Sequence, residues 1–70
     1  MYSVKIDADA RVIAYDAMSL TDHVIHRGSD ATYKYLTEKD FRDAAAYRQF
    51  VIDPKRHYFD KQGRIRRLVV

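Results

Sequence analysis

The one proline of this chain, Pro54, is the strongest local constraint on its fold. A residue that precedes proline is pushed out of the α region, so a helix reaching Asp53 must stop there. Upstream, Leu36-Thr37-Glu38-Lys39-Asp40-Phe41 has the grammar of a helix start. Thr37 can cap, Asp40 takes the place of the Glu in a capping box, and Leu36 with Phe41 can form a hydrophobic staple. Glu38 and Asp40 also suit the positive end of a helix dipole. Phe41, Ala44, Ala45 and Val51 then share one helical face, widened by Ala46, Tyr47 and Phe50. The expectation is one helix over residues 38–51.

Period-two patterning marks both ends of the chain. Tyr2, Val4 and Ile6 alternate with Ser3, Lys5 and Asp7, and Arg11-Val12-Ile13-Ala14-Tyr15 follows after Asp7-Ala8-Asp9-Ala10, which predicts a hairpin over residues 2–15. Ala10 is the unusual member, because such a turn favours Gly, Asn or Asp where φ is positive. After the proline, His57-Tyr58-Phe59 and Arg64-Ile65-Arg66-Arg67-Leu68-Val69-Val70 flank Asp60-Lys61-Gln62-Gly63. That predicts a second hairpin over residues 57–70, with a type I turn closed by a left-handed glycine. The two turns match in pattern: apolar, Asp, two variable residues, a small residue, Arg, β-branched. Shared turn chemistry explains the match more simply than duplication does. Between the hairpins, the segment 21–26 is read as a short strand or turn, with the strand over residues 22–26. A helical turn is the alternative. Arg27-Gly28-Ser29-Asp30 reads as a loop.

These elements predict an α+β fold, two antiparallel β-hairpins forming a small sheet packed by one α-helix, in a single domain over residues 1–70. The expected core is Val4, Ile6, Val12, Ala14, Leu36, Phe41, Ala45, Val51, Tyr58, Ile65 and Leu68. At 47% hydrophobic residues the chain can collapse, and a net charge of +3 from 13 basic and 10 acidic side chains does not oppose it. With 70 residues and no cysteine, it has neither a large core nor disulfides to secure it, so self-association or a partner is expected. The N-terminus lacks the pattern of a signal peptide, and no apolar run approaches the roughly 20 residues of a membrane span.

Candidate chemistry is sparse. His23 and His26, with Asp22 beside them and His57 downstream, could ligate zinc from one helical face, but on a strand they diverge, and surface histidines are the better reading. Ser3, Ser19 and Ser29 lack a nucleophile context, and Asp53 and Asp60 near His57 fall at turns. No catalytic residue, cofactor or metal is assigned, and a non-enzymatic role is expected. The cations Lys55, Arg56, Lys61, Arg64, Arg66 and Arg67, interleaved with aromatics from Tyr33 to Phe59, admit nucleic-acid binding. Neighbouring acids dilute that signal, and a solvated strand face is the alternative.

The order of an N-terminal hairpin ending in Val12-Ile13-Ala14-Tyr15, an acidic-aromatic Thr37-Glu38-Lys39-Asp40-Phe41 and a closing hairpin His57-Tyr58-Phe59-Asp60-Lys61-Gln62-Gly63-Arg64-Ile65 resembles a known group. It is similar to the small proteins encoded among tail-fibre and baseplate genes of tailed bacteriophages. The resemblance implies a virion structural or adaptor role, assembled in the host cytoplasm through repeated protein–protein contacts, and brings no catalytic residues with it. An inhibitor of a host defence protein and a small nucleic-acid-binding regulator are the alternatives. The expected contact is the last strand. Leu68, Val69 and Val70 would be buried by a neighbouring chain, and Arg64, Arg66 and Arg67 would pair with its acids.

Overall fold

The computed structural model describes residues 1–69; Val70, the last of the expected contact residues, lies outside them. The fold is mixed α+β. Strands β1 (Tyr2–Ile6), β2 (Val12–Ala17) and β3 (Tyr33–Leu36) form an antiparallel sheet in the order β2-β1-β3, and β4 (His57–Phe59) pairs with β5 (Ile65–Arg67). Helix α1 (Leu20–Arg27) lies between β2 and β3, and helix α2 (Ala44–Ile52) between β3 and β4.

Both expected hairpins are present, and their turns are bonded alike. The Asp7 carboxylate accepts from the amides of Asp9 at 2.8 Å and Arg11 at 3.0 Å. The Asp60 carboxylate accepts from Gln62 and Arg64, each at 2.9 Å. Ala10 and Gly63 stand at the same place with φ of 62° and 78°. A β-bulge follows the first turn, because Lys5 faces Ala14 while Ile6 faces Val12, leaving Ile13 without an opposite number. This extra residue shifts the outward set, which is why Ala14 is exposed and not in the core.

The segment 21–26 is helical, the alternative to the expected strand. Ser19 Oγ caps α1 by accepting from the Asp22 amide at 3.1 Å, and the Gly28 amide closes it on the Val24 carbonyl at 2.9 Å. The helix docks by polar contacts. His23 is buried with Nδ1 2.8 Å from Ser3 Oγ, and Arg27 reaches Asp16 at 3.0 Å while lying 4.6 Å from the Tyr33 ring centre. Leu20, Val24 and Ile25 are exposed. The apolar pattern therefore marks the outer face, and the β-branched Val24-Ile25 pair mimics a strand.

The expected helix over 38–51 is also corrected. Residues Glu38–Asp40 make a single 3-10 turn, whose Asp40 carboxylate accepts from the Thr37 amide at 2.7 Å and hydroxyl at 3.2 Å. Phe41 then turns extended and buries its ring, and Asp43 caps a new start by accepting from the Ala46 amide at 2.8 Å. Burying Phe41 outweighs one continuous helix. The rotation this introduces places Phe50 inside and leaves Ala45 and Val51 outside. Pro54 ends the helical segment as expected, opening a short 3-10 turn, Pro54–Arg56.

The core is Val4, Val12, Leu36, Phe41, Phe50 and Phe59, flanked by half-buried Ile6 and Ile65. Tyr58 and Leu68, also expected there, are only half-buried. Phe50 is its hub, with ring centres of Tyr2, Phe41 and His57 at 5.5, 5.3 and 5.2 Å. Strand β1 is central and covered on both faces, Val4 against this cluster and Ser3 against α1.

Candidate functional site

The two sheets are not independent. Arg11 bridges antiparallel to Tyr58, and the Phe59 amide donates to the Ala10 carbonyl at 2.9 Å. A single bridge at Arg11, just before β2, and one main-chain bond thus tie the sheet β2-β1-β3 to the sheet β4-β5, with β3 an edge strand of the one and β5 of the other at the two ends. Those ends face each other across a cleft of about 490 Å3, floored by Leu36, Phe41 and Phe59. Consecutive residues of each end line it, Lys34-Tyr35-Leu36 on one bank and Gly63-Arg64-Ile65-Arg66 on the other. Successive strand side chains point to opposite faces, so a run of consecutive lining residues is consistent with a cleft along the strand's edge.

The phase of the ladders identifies the exposed main-chain groups. In an antiparallel pair, residues alternate between bonding across and pointing away. On β3, the Ile6 amide donates to the Thr32 carbonyl at 2.8 Å, so Thr32, Lys34 and Leu36 bond inward and Tyr35 presents its N–H and C=O outward. On β5, the Asp60 amide donates to the Arg64 carbonyl at 2.9 Å and the Leu68 amide to the Arg56 carbonyl at 2.7 Å. Ile65 and Arg67 therefore face away from β4. The outward Phe59 amide, bonded to Ala10, fits the same phase.

The cleft is strongly basic. Lys34, Lys39, Arg42, Arg64 and Arg66 line it, and Asp40 is its one acid among the described residues. Asp40 is engaged by Thr37. Arg66 is held by Asp60 at 3.0 Å and Arg42 lies 3.4 Å from Asp43, whereas Lys34, Lys39 and Arg64 have no acid within 4.0 Å among the described residues. The Asp60 carboxyl is drawn below its ordinary value, chiefly by the Arg64 amide and then by the Arg66 side chain.

The expected contact residues are divided by this geometry. Arg64 is exposed on the cleft rim, and Arg66 also lines it but is already paired. Arg67 is exposed opposite His57 and belongs to a second hollow of about 450 Å3, which it shares with Val69 on the far side of Arg42 and Arg66. Leu68 is half-buried and extends the β4 ladder, while Val69 is 94% exposed. Lys34, Lys39 and Arg42 come to the site from distant sequence. Their positive charge is visible in the sequence, but their convergence requires the fold.

The histidines do not converge. His23 is buried beneath the sheet and His26 is exposed. His57 is buried, with Nδ1 3.0 Å from the Asp53 main-chain oxygen, not its carboxylate. Burial holds the His57 imidazole below its ordinary 6.5, and nearby Arg67 adds to the effect against the main-chain bonds of Asp53 and Pro54. Among the described residues no three His, Asp or Glu side chains are grouped to hold a metal, and no helix is long and apolar enough to cross a membrane.

No family model matches the chain, and neither the curated proteins nor the solved structures searched contain a match.

Proposed function

We propose that this chain is a non-enzymatic structural or adaptor subunit of a bacteriophage particle, acting through protein–protein contacts repeated in a symmetric assembly. The phage setting rests on the resemblance of its hairpins to small tail-region proteins. The contact role rests on one observation: the second hairpin keeps an edge along β5 that is unpaired among the described residues, continued by the exposed Val69. Strand edges of this kind are normally blocked or used. Arg66 is a weak block here, because Asp60 draws its guanidinium back over the turn. Nucleic acid is less favoured, since Phe41 and Phe59 are buried and Tyr35 directs its hydroxyl to the Met18 carbonyl at 3.2 Å. Buried rings offer no stacking platform, and the cleft has no fully exposed aromatic among its lining residues.

The test is truncation after Leu68. Leu68 is retained because its amide completes the β4–β5 ladder. The shortened chain should keep its circular dichroism and melting transition and disappear from purified particles, counted by mass spectrometry against the full chain at many copies. Unchanged incorporation overturns the proposed contact. A full chain absent from particles that co-purifies with one host protein replaces the subunit reading with the inhibitor.

A further inference from the structure

The adaptor reading leaves open what the β3–β5 cleft receives. We propose that it takes an extended acidic segment of a partner protein, which adds as a strand between the two open edges and spans the two sheets. This rests on the protein–protein reading and specifies the partner's chemistry. Two observations carry it together. Main-chain groups of Tyr35 on one bank and Ile65 on the other point away from their own sheets, as the phase of both ladders requires. Around them Lys34, Lys39 and Arg64 are unpaired among the described residues. Edge groups bond a peptide backbone in strand addition and give affinity, while side chains beside them select the sequence. Carboxylates on alternate residues would lie over the cationic rims, and intervening side chains would face Leu36, Phe41 and Phe59 on the floor. A polynucleotide satisfies the cations but has no use for two strand edges, so charge together with edge geometry favours a peptide.

The experiment uses the full chain and fluorescence anisotropy with three probes of similar length: a peptide alternating Glu and Thr, one alternating Glu and Pro, and an oligothymidylate. The Glu-Thr peptide should bind in a salt-sensitive manner. The Glu-Pro peptide, equal in charge but lacking every second donor, should bind about tenfold more weakly, the loss of one or two net hydrogen bonds. Lys34→Glu and Arg64→Glu should each weaken the Glu-Thr peptide several-fold, while Lys55→Glu, a charge change outside the cleft, should leave it unchanged, with circular dichroism confirming the fold of each variant. Equal affinity for both peptides, tighter binding of the oligothymidylate, or an equal effect of Lys55→Glu overturns strand addition. A chain that binds no peptide yet leaves particles on truncation after Leu68 also overturns it, while the adaptor reading stands.

Discussion

The turns of the two hairpins are bonded alike, but the strands they join lie in different surroundings. Each turn has an Asp carboxylate gathering two amides and a small residue at positive φ. In the first hairpin, β1 is paired on both sides, and Ala10 packs its methyl against the core. In the second, β5 has one neighbour and the Cβ position of Gly63 meets nothing within 4 Å among the described residues. A common turn therefore sets register in both places, while the neighbours decide whether an edge is structural or available for binding. The difference also explains the residue choice. Ala10 offsets left-handed strain with packing, and position 63 has no packing to offer, so glycine stands there.

The largest effect tests whether the hairpins form one unit. Phe59 is buried where they meet, and Phe59→Ala should cost about 3–5 kcal/mol. For a chain this short that approaches total stability, so urea denaturation should show both hairpins lost together. Retention of the β1–β2–β3 signal with only the second hairpin loosened would separate them.

Next comes the turn comparison. Gly63→Val should destabilise by about 2 kcal/mol, since a β-branched residue resists positive φ. Ala10→Gly should fall within about 1 kcal/mol of neutral, because relief of strain offsets lost packing and added backbone freedom. Equal losses at the two positions in thermal melts would break the parallel.

A smaller effect separates the hairpins by pH. The folded His57 has a lowered pKa, so the unfolded chain binds its proton more readily. The stability tied to its neutral form is full above the ordinary 6.5 and is lost as pH falls through the lowered folded value. His57→Gln should flatten the stability profile just below pH 6.5. An unaltered slope there would assign that dependence to another group. The smallest expected change lies outside both hairpins. Thr37→Ala should cost about 0.5 kcal/mol, at the low end for a cap because it serves a single 3-10 turn. A loss beyond about 2 kcal/mol would show that this turn braces the core through Phe41.

Features governed by local chemistry were legible in the sequence: both hairpins, their turn residues, the Thr37–Asp40 pair and the stop at Pro54. Features settled by distant packing were not. Helix α1 was obscured because polar His23 and Arg27 face the sheet while Val24 and Ile25 face outward. The split before α2 follows from Phe41 leaving the helical path to reach Phe50. Strand β3 is short, and it exists because β1 offers it an edge. The same divide runs through the site. Arg64 and Arg66 could be named from a basic strand, but Lys34, Lys39 and Arg42 join them only through the folding of the chain around the cleft.

The claim that β3 and β5 are open edges is tested most directly by amide hydrogen exchange in the free chain at low concentration. Phe59 and Tyr58 should be protected, one bonded to Ala10 and the other within the β4–β5 ladder. Tyr35, Ile65 and Arg67 should exchange far faster than these neighbours, because their amides point away from the sheet. Protection of Ile65 and Tyr35 equal to that of Phe59 would mean that both edges are already paired and would contradict the account.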